Sequence, residues 1–394
     1  MKKFTAQPVI LFIIVVLLCL YEQAEMFYFG QQTSITSLVW IIQLAIGVCA
    51  TLYILLNLSY LRYNYVGSFI VLFVLYSWII SLVTGGFLTL TLYISTILPA
   101  ILLLCTQVAA RSSKSEYVQI FFFAACVFLS VYYFRNLGEF ASLKAQFQNN
   151  GAYTILFFLP FILSLDNSKL RLGGIILILL VMITSLKRGG IITMFMALGI
   201  YLWIKERHFI RSHILMSLIL LSISVGLIAL ITVSQEDSML MTFLDRFESI
   251  QEDKGSGRLD IFEDVLKKIQ GSSFEEMILG HGWCKVQEVT VSGLSAHNDF
   301  LEIAYDFGLV GLFLYLMILL SAIRYSFYLA SLRIKIAAPF ASFIVLVIVL
   351  SFVSHIIIYP KLMMLSCTFF GFAIGRAQLE IYHKKLNQNK ICKK

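Results

Sequence analysis

Along most of the chain, apolar residues run in blocks too long for an amphipathic pattern, separated by short polar breaks. A helix needs about 20 apolar residues to cross a bilayer. Twelve blocks meet or approach that length, at about 8–28, 36–58, 65–83, 87–109, 117–134, 151–166, 171–186, 190–204, 213–233, 302–327, 336–358 and 362–380. The predicted fold is therefore an all-α, polytopic membrane protein with about 12 transmembrane helices. The first block, in "MKKFTAQPVILFIIVVLLCLYEQ", has a charged start but no small-x-small cleavage site after its apolar core. It is predicted to be a retained span rather than a signal peptide.

One polar segment, about 235–301, interrupts this series. It splits the chain into spans 1–9 (1–234), a large loop (235–301), and spans 10–12 with a basic tail (302–394). Within the loop, "SGRLDIFEDVLKKIQGS" changes period: Leu259, Phe262, Val265, Leu266 and Ile269 form one stripe. Asp260, Glu263, Asp264, Lys267 and Lys268 form the other face, and Ser256 stands where an N-cap would be. This predicts an amphipathic helix lying on the ends of the bundle or at the lipid interface.

Charge orients the series. The loops "LRYNY", "RSSKSE", "DNSKLR", "KERHFIRSH" and "RYSFYLASLRIK" carry most of the Arg and Lys, whereas "FYFGQQTS", "TGG" and "YPK" are poor in base. The positive-inside rule then puts the first set and both termini in the cytoplasm and the large loop outside. The net charge of +8 needs no nucleic-acid partner to explain it. A few basic residues fall on the predicted outer side: Arg135, Lys144, Lys187, Arg188, Arg246, Arg258 and Lys361. Five of the seven cysteines lie in apolar runs, with no CxxC and no disulfide framework.

Two places carry candidate chemistry. In "LGGIILILLVMITSLKRGGIITMFMALGIYLW" two short apolar arms meet at "KRGG". Either the turn sinks Lys187 and Arg188 into a protein-lined cavity, with Gly189 and Gly190 permitting the reversal, or both bases snorkel to the headgroups. In "SAHNDFLEIAYDFGLVGLF", His297 can take a proton near neutral pH. Asn298, Asp299 and Glu302 suit a helix start, as a cap and as partners of the N-terminal dipole. A guanidinium fork fits phosphate oxygens, so Arg188 and Arg258 could hold a diphosphate; Arg258 could equally pair with a loop carboxylate. Neither a metal-ligand cluster nor a nucleotide motif such as HExxH, a P-loop or GxGxxG is present, so neither metal, ATP nor another cofactor is expected.

The stretch "AHNDFLEIAYDFGLVGLFLYL" resembles the signature of the O-antigen ligase and polysaccharide polymerase superfamily (Wzy-like and WaaL-like proteins). "SLKRGGIITMFMA", "GSGRLDIFEDVLKKI" with "ILGHGW", and "NNGAYTILFFLPFIL" resemble further pieces in the same order, and together they cover about 149–325. Lys187 stands where the family usually has Ser. The resemblance implies a membrane glycosyltransferase of GT-C-like architecture in a bacterial cytoplasmic (inner) membrane, working on the outer face. It implies an undecaprenyl-diphosphate-linked oligosaccharide as substrate. His297 would be the general base and Arg188 and Arg258 the diphosphate ligands, with Lys187, Arg135, Asn298, Asp299 and Glu302 in support. A chain-length regulator and a flippase of the same pathway would be partners. A polymerase is the preferred reading; a ligase acting on a lipid A core or protein, a lipid-sugar flippase, and a subunit without a site of its own are the alternatives.

Overall fold

A computed structural model describes residues 7–27, 36–84, 90–112, 114–135, 151–185, 187–205, 258–291 and 293–391. The predicted span 213–233, the first part of the large loop, and Lys144, Arg246 and Ser256 lie outside them. The described residues fold as helices without strands. In chain order these are α1 (Gln7–Phe27), α2 (Thr36–Leu56), α3 (Tyr65–Val83), α4 (Leu90–Ser112), α5 (Ser115–Arg135), α6 (Gly151–Leu156), α7 (Leu159–Leu163) and α8 (Ser168–Thr184). There follow α9 (Arg188–Lys205), α10 (Arg258–Gly271), α11 (Phe274–Leu279), α12 (Val286–Val289), α13 (Asp299–Asp306), α14 (Gly308–Ser331), α15 (Ala337–Val353) and α16 (Pro360–Ile391). Among the described residues, four stretches are long and apolar enough to cross a membrane: 65–83, 116–135, 308–331 and 360–389.

Helix starts follow local chemistry. Asn64, Asn167 and Asn298 each accept two backbone N–H groups of the turn that follows. Packing between spans relies on small residues. A Cβ at Gly371 or Gly375 of α16 would run into the Leu103 and Gln107 carbonyls of α4, and Thr106 Oγ1 donates to the Thr368 carbonyl at 2.8 Å.

Two predicted boundaries change. The block 151–166 is broken into α6 and α7, with Pro160 at the start of the second. The block 302–327 does not begin a span at 302: α13 ends at Asp306, and α14 starts at Gly308. The interruption has a steric cause. Gly308 has φ +61° and Gly280 φ +90°; a Cβ on Gly308 would strike the Ile278 carbonyl, and one on Gly280 the Asp306 carbonyl. The two backbones therefore touch, as only glycine permits.

The described loops gather at two ends. At one, Gln378 Nε2 donates to the Tyr63 carbonyl, Arg111 to Gln378 Oε1, and Lys384 to the Leu332 and Arg333 carbonyls; Lys335 pairs with Asp166 at 3.6 Å. These are the base-rich loops. At the other end Tyr76 donates to the Leu279 and Phe307 carbonyls, and the Trp283 N–H reaches Ser81 Oγ. So α10 to α13 cap the end opposite the base-rich loops.

The amphipathic helix α10 is present, with its apolar stripe turned from the predicted one. Ile261 and Val265 are buried with Val286, Ala296 and Tyr305, and Ile269 packs beside them. Leu266, predicted on the stripe, is exposed. The spacing i, i+4, i+8 faces a small core made by the loop itself.

Candidate functional site

The sequence places a polar cluster just before α13, and the structure gives each member a task. Asn298 Oδ1 caps the helix, accepting from the Phe300 and Leu301 N–H groups at 3.0 and 3.1 Å. Its amide nitrogen donates to the Phe352 carbonyl at 3.3 Å. Asp299 and Glu302 are predicted to complement the helix dipole; one oxygen of each is engaged elsewhere. Asp299 is fully buried, and its Oδ1 accepts from the Ile356 and Ile357 N–H groups at 2.9 and 3.2 Å. Glu302 Oε2 accepts from the Ala296 N–H at 2.7 Å. One carboxylate thus holds the segment after α15, the other the residue before His297.

Between these two anchors stands His297. Its φ is +50°, in the left-handed region, which costs a non-glycine residue on the order of 1 kcal/mol or more. The Glu302 and Asn298 contacts on either side impose this conformation. The result is a half-buried imidazole stacked on His355, ring centroids 4.7 Å apart. His355 is itself 4.5 Å from the Tyr359 ring, and its Nδ1 lies 3.0 Å from Ser295 Oγ.

A third carboxylate, which sequence reasoning passed over, completes the scaffold. Asp306 accepts the Cys284, Lys285 and Val286 N–H groups at 2.8, 2.9 and 3.1 Å and so folds the loop after α11 onto α13. Burial raises the pKa of all three groups above the ordinary carboxylate range, Asp299 to about 6. The Glu302 charge adds to the rise at Asp306, and the amide donors hold each group back.

Lys187 is 8% exposed, and its Nζ lies 4.9 Å from the centre of the Tyr153 ring. Lys187 is thus enclosed by protein, as the first of the two predicted placements has it. Gly189 and Gly190 are helical and supply no left-handed turn. They are small because Val353 and Tyr153 press against the backbone there, a Cβ at Gly190 lying 3.3 Å from Tyr153. Tyr153 also lines a small pocket with Ser354, His355, Tyr359, Lys361 and Leu362. The KRGG turn and His297 hence meet at one end, through Tyr153 and His355.

Arg188 begins α9 and Arg258 begins α10. Ile261, one turn after Arg258, shares the loop core with Ala296, the neighbour of His297. The described residues fix the backbone of both arginines but not their side chains. Arg135 is exposed at the last residue of α5 and joins none of these contacts as described. Among the described residues no group of His, Cys, Asp and Glu could hold a metal.

Residues 173–316 match the sequence model of the family described as O-antigen ligase. This segment belongs to the O-antigen ligase superfamily. The match runs from the KRGG arms through α10 to α14 and contains Lys187, Arg188, Arg258 and His297. No curated protein matches the chain. With the apolar helices, the O-antigen ligase segment makes this an integral membrane protein.

His355, Lys361, Tyr153 and Tyr359 lie outside that segment and outside the predicted site. Lys361 alone left a trace, as a basic residue on the base-poor side. "SHIIIYPK" also carried one: a polar pair and a proline within what reads as a span boundary.

Proposed function

We propose that this protein is a membrane glycosyltransferase that moves an undecaprenyl-diphosphate-linked glycan onto an acceptor hydroxyl. The acceptor is the end of another lipid-linked repeat unit, which makes the enzyme a polymerase of O-antigen, capsule or exopolysaccharide. The chain sits in a bacterial cytoplasmic membrane with 12 spans, both termini inside, and the large loop of 235–301 on the outer face.

The observation that carries the reading is His297. An imidazole on a left-handed backbone, held between two carboxylate-anchored turns one short helix before the span α14, is poised to meet a group at the membrane surface. In the proposed reaction His297 takes the proton of the acceptor hydroxyl as its oxygen attacks the anomeric carbon. The bond from that carbon to the diphosphate breaks with inversion, and the lipid diphosphate leaves. Arg188 and Arg258 stabilise its charge, supplying what a metal supplies in other sites. His355 positions His297 by stacking; Asn298, Asp299 and Glu302 support the turn.

The family description, O-antigen ligase, favours a second reading, in which the acceptor is a lipid A core or a protein. One assay separates them. Purified protein receives the donor carrying its host's repeat unit, alone or with a separate acceptor, without metal or nucleotide. A ladder of longer chains marks a polymerase; product only with the separate acceptor marks a ligase. His297→Ala is expected to lower either rate by about 10²–10⁴-fold. Unchanged transfer in that variant, or lipid-linked sugar crossing liposomes without transfer, would overturn the proposal. Arg188→Lys tests the diphosphate role, because a point charge does not reproduce a planar fork.

A further inference from the structure

His355 lies beyond the segment that matches the family, in the turn 354–359 between α15 and α16. Its place is fixed from the start of α13 on both sides. The Asn298 amide holds the Phe352 carbonyl before it, and Asp299 Oδ1 holds the Ile356 and Ile357 amides after it. Glu302, on the same helix, fixes His297 through the Ala296 N–H. One short helix thus sets two imidazoles against each other, with 4.7 Å between centroids and 24° between planes. Tyr359 extends the stack, its ring 4.5 Å from that of His355 and inclined by 8°.

Stacking uses the faces of a ring and leaves the edges, where the nitrogens are, to hydrogen bonds. It therefore fixes how His297 stands without covering the atom that takes a proton. It also has an electrostatic consequence. The face of a neutral aromatic ring is negative and attracts a cation. An imidazolium formed at His297 lies against such a face. The charge belongs on His297 rather than on its neighbour, because two charged rings at this separation repel. His355 is 6% exposed and shares its pocket with the Lys361 cation, whereas His297 is only half-buried. The more solvated ring is the one that can be charged.

We propose that His355, backed by Tyr359, stabilises the imidazolium that His297 becomes when it takes the acceptor's proton. The acceptor's O–H bond breaks, its oxygen bonds to the anomeric carbon, and the diphosphate leaves with the electron pair of the bond that breaks. The proton stays on His297 until solvent removes it. His355 neither gains nor loses a proton and acts only through His297, as a positioning residue with an electrostatic effect. This rests on the proposed function for the reaction and goes beyond holding the ring still: another aromatic ring serves at this place, and an aliphatic side chain does not.

The test compares the purified full chain as wild type, His355→Phe and His355→Leu, with the lipid-linked donor and its acceptor. Both variants lose the contact between His355 Nδ1 and Ser295 Oγ, so a difference between them belongs to the ring. His355→Phe is expected to keep kcat within about twofold of wild type, and His355→Leu to lower it about three- to tenfold with KM unaltered, the size of one cation–π contact. Without the stacked face the imidazolium is less stable, so the acid limb of the kcat profile of His355→Leu is expected to move to lower pH by up to about one unit. The other charged and titratable groups around the stack are the same in both: Asp299 and Glu302 on α13, Tyr153 with Lys187 on its ring, and Lys361 beside Tyr359. Equal kcat in the two His355 variants, or an acid limb that stays in place, would overturn the proposal. Tyr359→Leu, which alters the second ring alone, is expected to act in the same sense and less; if His355→Leu does not fold, wild-type kcat in Tyr359→Leu overturns it.

A titration of His297 needs no transfer. Its NMR signal in histidine-labelled protein is assigned by its absence from His297→Ala. If wild type transfers nothing, yet His297 titrates lower in His355→Leu than in wild type and His355→Phe, the function falls and the stabilised imidazolium stands. If wild type transfers glycan and neither rate nor titration separates the variants, the stacking effect falls and the function stands. If there is neither transfer nor a shift, both fall.

Discussion

The two ends of the bundle satisfy their polar groups in opposite ways. At the base-rich end, charges stay in water: Lys335 and Asp166 pair with side chains 74% and 52% exposed. At the opposite end, three carboxylates are buried, and each accepts from backbone N–H groups: Asp299 through Oδ1 from 356–357, Glu302 through Oε2 from 296, and Asp306 through both oxygens from 284–286. Exposed charges orient a membrane protein and tolerate change; buried carboxylates bound to amides fix loops in one arrangement. The difference marks the end where geometry matters, and His297 sits in it.

Mutation should break the comparison unevenly. Removal of the Asp306 carboxylate strands three amides, so Asp306→Ala is expected to cost about 3–5 kcal/mol in a detergent unfolding titration. Asp306→Asn, which keeps one acceptor, should lose less. An effect below that of an exposed lysine would refute the account of this end.

Acidity gives the next largest effect. Burial lifts the Asp299 pKa from 3.8 to about 6, and lifts that of Glu302 as well. Between about pH 4 and pH 6 the folded form then binds more protons than the unfolded one, so stability falls as pH rises through that window. For Asp299 the fall is on the order of 2–3 kcal/mol. Melting temperatures across it should decline in wild type and flatten in Asp299→Asn; an equal decline in both would exclude Asp299 as the source.

Gly308→Ala sharpens the steric side. A left-handed backbone and a contact with the Ile278 carbonyl both oppose the methyl group, for about 1–3 kcal/mol. A neutral result would mean that the backbones of 278–280 and 306–308 are not in contact in solution. At the base-rich end, Lys335→Ala should change stability by no more than about 1 kcal/mol, because an exposed pair is screened by solvent. A larger loss would erase the distinction between the ends.

Much of this was legible along the chain. Apolar length marked most of the described spans, and a change of period marked α10. The cap at Asn298 was legible because it bonds to N–H groups two and three residues on. The grouping of base-rich loops at one end follows from their alternation. The direction of α10's stripe was misread because Leu259, Phe262 and Leu266 fit helical spacing as well as Ile261, Val265 and Ile269 do. Hydrophobicity gives a face only to within a turn, and the facing core decides the rest.

The sequence by itself determined that this is a helical membrane protein, where helix α13 begins, and that His297 stands at that point. Each rests on forces acting over a few residues: apolar length, period, and capping. Only the tertiary structure decided what the carboxylates bind, why α13 and α14 part at Gly308, and that His355, Lys361 and Tyr153 gather around one pocket with Lys187 against the Tyr153 ring. Most of those contacts join residues some 20 to 200 positions apart. A local pattern can say that a lysine is out of place; only packing can say what it faces.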